Sequence, residues 1–202
     1  MERVSFVYRQ RTGYVAVRRL FHVAGALAIL LLVLPVIAVA VLAILLEDGR
    51  PAFFVQRRVG RFERTFEMYK LRTMKKSCCG DAFSPTNASD SRITAVGRIL
   101  RKTSIDELPQ LLNVVLGHMA LVGPRPEMPF IVRRYENWQH LRHFVEPGIT
   151  GLWQTACRSN IPLARPEATM LDLQYIREAS AATDGRLLAR TVQALFTAGG
   201  AF

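Results

Sequence analysis

The sequence predicts an α+β fold that is mainly helical and is anchored in a membrane. Three observations support this prediction: residues 23–46 carry no charge, residues 52–70 hold two short segments rich in β-forming side chains, and several later segments have helical spacing. With 202 residues, the chain can form one domain with an anchor, but it is too short for two independent cores of medium size.

The composition is both apolar and basic. Hydrophobic residues make up 50% of the chain, and 27 Lys and Arg against 16 Asp and Glu give a formal net charge of +11. The apolar fraction excludes intrinsic disorder, because such a chain can bury enough surface to offset the entropy lost on folding. The charge predicts an anionic partner, either nucleic acid or an acidic membrane surface together with phosphorylated substrates.

The uncharged run at 23–46 is about long enough to cross a hydrocarbon core of roughly 30 Å. A signal peptide has a shorter apolar stretch and a cleavage site of small residues, whereas this run ends in the polar segment Glu47–Pro51. Pro35 lies at its centre, where it removes one backbone hydrogen bond and crowds the preceding turn.

Arginines flank the run on both sides, and basic flanks mark the cytoplasmic side of a membrane. They are Arg3, Arg9, Arg11, Arg18 and Arg19 before the run and Arg50, Arg57, Arg58, Arg61 and Arg64 after it. This symmetry is typical of a re-entrant hairpin, although a proline-kinked helix that spans the bilayer also fits these residues.

The segments after the anchor alternate between strands, loops and helices. Residues 52–55 and 65–70 predict paired strands joined by a basic turn around Gly60, and residues 77–91 predict a mobile loop that could serve as a lid. Residues 147–154 predict a turn that leads into a strand.

Helix candidates follow at 93–100, 109–116, 167–179 and 186–196. The first is basic and amphipathic, which predicts a helix on a membrane surface, with an ordinary surface helix as the alternative. Residues 122–129 hold three prolines and therefore predict a rigid turn.

Two adjacent carboxylates, Asp106 and Glu107, lie just behind a basic stretch at a predicted helix start. Such a pair can hold a divalent cation, and one member can attack phosphorus as a nucleophile. Ser104 and Glu107 also have the S-x-x-E spacing of a capping box, which the spacing alone favours. The two roles are compatible, because a helix N-terminus rich in free N–H groups also binds phosphate.

Signatures of other chemistries are absent. The sequence contains no P-loop, Rossmann or zincin motif, and the histidines at 22, 118, 140 and 143 lack the spacing of a ligand cluster. Basic residues remain at 70–73 and at Arg125, which lies between two prolines. A guanidinium on such a fixed backbone loses less entropy when it binds a diphosphate.

These segments together resemble the bacterial sugar transferase family, which comprises small monotopic polyprenyl-phosphate phosphoglycosyl transferases. The matching segments are 18–21 (RRLF), Pro35, 49–60 (GRPAFFVQRRVG), 69–74 (YKLRTM), 92–98 (RITAVGR), 102–111 (KTSIDELPQL), 121–126 (LVGPRP) and 147–154 (PGITGLWQ). They follow the family order along nearly the whole chain.

The resemblance implies three parts: a basic cytoplasmic segment at 1–19, a re-entrant membrane helix at 20–47 that is broken at Pro35, and a catalytic domain at 48–202. Both ends of the hairpin would be cytoplasmic. Amphipathic helices would lie on the inner leaflet of the bacterial inner membrane, and a small β element would complete an active site at its cytoplasmic face.

The resemblance also implies a reaction in which a sugar-1-phosphate moves from a UDP-sugar to undecaprenyl phosphate and UMP is released. Asp106 would be the nucleophile that carries the phospho-sugar, and Asp106 and Glu107 would hold the required Mg²⁺. The implied substrate-binding residues are Lys70, Arg72, Arg98, Arg101, Pro124, Arg125 and Pro126. Downstream glycosyltransferases are expected partners, and nucleic acid is not.

Two other interpretations of the same residues are a membrane-tethered protein that binds nucleic acid and a bitopic protein with an extracytoplasmic domain. The first would use the net charge of +11. The basic residues argue against it, because they flank apolar segments and include neither a recognition helix nor an aromatic RNA platform.

Overall fold

A computed structural model describes residues 12–78, 90–156 and 165–197. The helices are α1 (Thr12–Asp48), α2 (Ala95–Lys102), α3 (Gln110–Val115), α4 (Pro129–Val132), α5 (Leu152–Ala156), α6 (Pro166–Glu178) and α7 (Ala181–Thr197). The strands are β1 (Phe53–Val59), β2 (Thr65–Leu71), β3 (Ala120–Val122) and β4 (Gly148–Thr150). Stretches of 3-10 helix cover Arg61–Glu63, Lys76–Cys78, Ile105–Glu107 and Gln139–Phe144.

Helix α1 is one helical element with Pro35 in its interior. Residues on both sides of the proline pack against the same domain. Ala26 is buried before it, and Ile37, Ala40 and Ile44 are buried after it. The helix also includes residues 12–19, which the sequence assigned to a separate segment, while 1–11 lie outside the described residues. The re-entrant course of α1 through a bilayer stays a prediction.

The outward face of α1 is apolar. Its exposed side chains include Leu20, Phe21, Leu31, Leu32, Val39, Leu42 and Leu46. By length and composition, Val15–Asp48 could cross a membrane, and its most apolar stretch is only 11% buried inside the protein. A core helix of a soluble protein is mostly buried, so this exposure favours contact with lipid.

Two hydrophobic clusters meet along the inner face of α1. The larger contains Ala26, Met68 and Val114, and the smaller contains Ile44, Leu71 and Leu100. Leu30, Val33 and Leu108 pack against both clusters. Helix α1 is therefore part of the folded core, which a cleaved leader would not be.

The predicted paired strands and the strand within 147–154 are confirmed, although β1 extends to Val59 and β3 was not predicted. Strands β1 and β2 form an antiparallel hairpin whose register places Phe54 opposite Lys70 and Val59 opposite Thr65. Strands β3 and β4 form a parallel pair, in which Ala120 faces Gly148. The predicted loop at 77–91 falls largely on residues 79–89, which lie outside the described residues.

The four predicted helices are present as α2, α3, α6 and α7, but their ends differ from the predicted ones. Helix α2 starts two residues after the predicted 93, and α7 starts at Ala181 rather than at 186. The predicted rigid turn at 122–129 lies between the end of β3 and the start of α4. Gly117 follows α3 with φ +95°, a conformation that favours glycine and ends the helix.

Candidate active site

The turn Ile105–Glu107 forms the centre of the candidate site. Ser104 precedes it in the left-handed region, with φ 56°, and its side chain makes no capping hydrogen bond. The predicted capping box is therefore wrong. Glu107 does not turn back to the Ser104 backbone, because its carboxylate instead engages two cations, and charged donors bind a carboxylate more strongly than one neutral N–H does.

The Glu107 carboxylate contacts one side chain from β2 and one from the loop after β3. Its Oε1 accepts a hydrogen bond from Lys70 Nζ at 2.9 Å and another from Arg125 Nη2 at 2.6 Å. Lys70 extends from β2, and Arg125 lies 18 positions beyond Glu107. Burial opposes the charge of Arg125, but the Glu107 carboxylate raises the pKa of this guanidinium overall. The structure thus brings together three residues that the sequence predicted for the site.

Asp106, the neighbour of Glu107 in the chain, is buried, with 9% of its surface exposed. Burial raises the pKa of Asp106 to about 6, even though the nearby cations Lys70, Arg101 and Arg125 favour its ionised form. Among the described residues, no hydrogen bond to its carboxylate is present. An ionisable oxygen nucleophile in a buried cationic setting is suited to attack on a phosphate ester.

Arg101 reaches the site because α2 lies very close to the chain after β2. Arg101 Nε donates to Thr73 Oγ1 at 2.9 Å. Gly97 permits this approach, since a Cβ added there would lie 2.1 Å from the Thr73 carbonyl oxygen. The start of α2 is fixed by Thr94, whose Oγ1 accepts from Gly97 N at 2.9 Å, and by Glu47 at the end of α1, which accepts from Ala95 N at 2.7 Å.

The segment Pro124–Arg125–Pro126 is held at three successive carbonyl oxygens. Gly148 N donates to the Pro124 oxygen at 2.8 Å, Arg142 Nη2 to the Arg125 oxygen at 2.7 Å, and Arg58 Nη1 to the Pro126 oxygen at 3.1 Å. Both prolines are buried. Their role here is to fix the backbone from which the Arg125 side chain extends.

The structure does not bring Arg72 and Arg98 into this cluster. Arg72 is only 2% exposed, and its Nη2 donates to the carbonyl oxygens of Asp48 and Gly49 at 3.1 and 2.7 Å. It thereby ties the end of α1 to the end of β2, and its contact with a diphosphate stays a prediction. Arg98 lies exposed on α2.

Sequence reasoning missed Arg58 and Arg142, two buried arginines that support the site. Arg58 was assigned to the basic flank of the membrane segment, but the alternation of β1 turns it inward with Gln56, whose Oε1 accepts from its Nη2 at 2.7 Å. The period of two along the strand could have indicated this. No sequence pattern indicated Arg142, because its partner Asp172 lies 30 positions away on α6.

Two further flanking arginines also point into the protein. Arg18 Nε donates to Asp184 Oδ2 at 2.8 Å, and Arg19 Nη2 donates to the Val114 carbonyl oxygen at 2.7 Å. They fasten the first part of α1 to the domain.

Asp106 and Glu107 supply carboxylate oxygens, the type of donor that suits a magnesium ion. Mg²⁺ in proteins is usually bound through one or two carboxylates, with water and substrate phosphates completing the coordination. The Asp106 carboxylate is buried with its pKa raised, so an added cation would favour its ionised form.

Comparison with known proteins extends this description. The family described as bacterial sugar transferase matches residues 13–198. The exopolysaccharide production protein PSS of Rhizobium leguminosarum bv. phaseoli is 37% identical over 196 residues, which cover 92% of this chain and 98% of that protein.

Two other relatives differ more in length from this chain. The UDP-glucose:undecaprenyl-phosphate glucose-1-phosphate transferase of Caulobacter vibrioides is 38% identical over 193 residues, covering 92% of this chain and 72% of that protein. Galactosyl transferase CpsE of Streptococcus agalactiae serotype III is 37% identical over 202 residues, but the chain spans only 44% of its length.

Proposed function

The chain belongs to the bacterial sugar transferase family and is a phosphoglycosyl transferase, and we propose that it moves a sugar-1-phosphate from a UDP-sugar to undecaprenyl phosphate with release of UMP. The observation that carries this proposal is the buried Asp106 carboxylate beside Lys70, Arg101 and Arg125. Relatives named for undecaprenyl-phosphate transfer and exopolysaccharide production support the same chemistry. The reaction begins the assembly of a polysaccharide or glycoconjugate.

In the first step, an ionised oxygen of Asp106 attacks the β-phosphorus of the UDP-sugar. A bond forms between that oxygen and phosphorus, and the bond from phosphorus to the bridging oxygen breaks. The electron pair of the broken bond leaves with UMP. The product on the enzyme is an aspartyl phospho-sugar.

In the second step, a phosphate oxygen of undecaprenyl phosphate attacks the same phosphorus. The new phosphorus–oxygen bond joins sugar-phosphate to lipid-phosphate, and the Asp106 carboxylate leaves with the electron pair. The covalent intermediate allows the soluble donor to depart before the lipid acceptor enters.

The cations of the site stabilise the charge that develops on the leaving group. Lys70 and Arg125 are already held by Glu107 at 2.9 and 2.6 Å, so they need little reorganisation when a diphosphate enters. Arg101, which extends from α2, also favours the ionised form of Asp106. Mg²⁺ held by Asp106 and Glu107 would add further neutralisation of phosphate charge.

The acceptor enters from the bilayer in this proposal. Helix α1 exposes an apolar face, and α2 lies beside it with Leu100 buried in their shared cluster and Ile99 62% exposed. We place α1 as a re-entrant helix in the inner membrane, with the active site at the cytoplasmic face. Arg101 extends from α2, so the site opens close to the lipid phosphate.

The activity test combines the purified full chain, undecaprenyl phosphate, Mg²⁺ and a series of UDP-sugars, with UMP release as the readout. We expect UMP release with at least one donor. Without the acceptor, we expect a burst of UMP equal in molar amount to the enzyme, and an increase in the protein's mass that matches one phospho-sugar. Asp106→Asn should lower turnover on the order of 10³-fold or more. Glu178→Gln on α6 is the control, because among the described residues its carboxylate accepts a hydrogen bond only from Gln174. Undiminished turnover in Asp106→Asn would overturn the covalent role.

The topology test labels single cysteines placed at Ser5 and Arg64 in a chain without its native cysteines. A re-entrant α1 predicts that a thiol reagent confined to the periplasm labels neither position. A spanning helix predicts labelling at one of them, which would refute the re-entrant arrangement while leaving the activity test independent.

A further inference from the structure

Glu63, His140 and His143 form a cluster of ligand atoms on the β-hairpin side of the domain. One ligand atom from each residue lies within 4.8 Å of the other two. Sequence spacing indicated no histidine cluster, but His140 and His143 lie three positions apart in the 3-10 helix Gln139–Phe144, where such side chains eclipse. The third member comes from the β1–β2 turn, 77 positions before His140.

The two imidazoles are held in place by packing. The Tyr135 ring stacks on His143 with centroids 6.1 Å apart and meets His140 edge to face at 5.8 Å. His143 is only 7% exposed, and its Nδ1 has no hydrogen-bond partner among the described residues. A buried ring nitrogen without a partner is rare in native proteins and indicates a ligand or an ordered water.

The turn that carries Glu63 is held in an uncommon conformation. Phe62 and Glu63 both lie in the left-handed region, with φ 53° and 60°. Residues other than glycine adopt this backbone conformation at a cost in free energy, and such residues cluster at functional sites. The result is that Glu63 Oε1 lies 2.8 Å from His140 Nδ1, while half of the Glu63 side chain stays exposed to solvent.

We propose that Glu63, His140 and His143 bind a divalent transition-metal ion of the Zn²⁺ class. Two imidazoles and one carboxylate are a donor set typical of zinc, and solvent at Glu63 can supply a fourth ligand. The three ligand atoms lie within 4.8 Å of one another, so one ion can be shared among them. The oxygen donors of Asp106 and Glu107 instead suit Mg²⁺, so the two ions do not compete for one site.

Bound metal would join the hairpin turn to the 3-10 helix and thereby stabilise the fold. The test uses the full chain in detergent with its affinity tag removed, in millimolar Mg²⁺. Zn²⁺ affinity is measured by competition with a fluorescent chelator, and Co²⁺ is used as a spectroscopic probe. We expect one Zn²⁺ per chain with micromolar or tighter affinity, a rise in melting temperature and visible Co²⁺ absorption of a four-coordinate site.

His140→Ala and Glu63→Gln change exposed or half-buried side chains, so both variants should fold. Each should weaken Zn²⁺ binding about 10-fold or more, and exposed His118→Ala is the matched control that should leave it unchanged. If both variants bind Zn²⁺ as tightly as the unmodified chain does, the ion is bound elsewhere, for example by the cysteines, and the proposal is overturned. The proposal also fails if the unmodified chain does not bind Zn²⁺ at concentrations up to about 100 μM. None of these readouts depends on transferase activity.

Discussion

The Arg142 guanidinium donates a hydrogen bond to the carbonyl oxygen of Arg125 at 2.7 Å, 17 positions away in the chain. The same guanidinium forms an ion pair with Asp172 on α6, with Nη2 and Oδ2 2.6 Å apart. Both side chains are almost fully buried. The backbone that presents Arg125 to the candidate site is therefore tied to α6 through Arg142.

Asp172→Asn tests this connection. The variant keeps the shape of the side chain but leaves the Arg142 charge buried without its partner, which should destabilise the fold by about 3 kcal/mol. Because Arg125 then loses its fixed backbone, the KM for the UDP-sugar should rise more than kcat falls. Thermal unfolding and steady-state UMP release measure the two effects, with Glu178→Gln on the same helix as control. A normal KM would show that Arg142 does not position Arg125.

Glu107→Gln tests how the two cations are held. The amide has nearly the same size but no charge, so Lys70 and Arg125 should lose their common anchor and kcat should fall about 10- to 100-fold. Glu67→Gln on the same hairpin is the control, since Glu67 is exposed and contributes its backbone oxygen to Asn113. UMP release measures both variants. Equal rates would mean that Glu107 is dispensable for the reaction.

Gly97→Ala tests the close approach of α2. The added Cβ would meet the Thr73 carbonyl oxygen at 2.1 Å, so α2 must move and carry Arg101 away from Thr73. We expect a loss of about 1 to 3 kcal/mol in stability and reduced turnover. Gly185→Ala within α7 is the control, because its Cβ would meet nothing within 4 Å. There the substitution should be neutral or stabilise by about 0.5 to 1 kcal/mol. Equal melting temperatures for the two variants would contradict the prediction.

Local patterns predicted the elements of this fold better than they predicted contacts between them. Segments rich in β-forming side chains predicted β1 and β2, and the absence of charge predicted α1, because both signals lie within one segment. The carboxylate pair and the Pro-Arg-Pro segment were also found from the sequence. What these patterns could not supply was the direction of each long side chain.

The arginines illustrate this limit in physical terms. Arg58, Arg72 and Arg142 are buried on backbone carbonyls whose positions depend on the whole fold. An arginine in a basic stretch looks the same in sequence whether it binds a phosphate, a lipid or a carbonyl oxygen. Ser104 gives the opposite case, since the S-x-x-E spacing was present but the carboxylate of Glu107 found stronger partners in Lys70 and Arg125.

Asp184→Asn tests the connection between α1 and the last helix. Asp184 Oδ2 accepts from Arg18 Nε at 2.8 Å, and Oδ1 accepts from the Tyr175 hydroxyl at 2.7 Å. His22 Nδ1 accepts from Leu121 N at 2.8 Å, so its ring proton lies on Nε2 and points to Asp184 at 3.3 Å. Burial alone would raise the pKa of Asp184, but the bonds from His22, Arg18 and Tyr175 lower it.

A lowered carboxyl pKa stabilises the folded state above the unfolded-state value and loses that contribution as the pH falls through the folded-state value. The free energy of unfolding of the unmodified chain should therefore decrease as the pH drops below about 4. Asp184→Asn should be less stable at pH 7 by about 2 kcal/mol and should show a flatter profile in the acid range. Thermal unfolding in detergent from pH 7 to pH 3 measures both quantities. Parallel profiles for the two proteins would assign the acid sensitivity to other carboxylates.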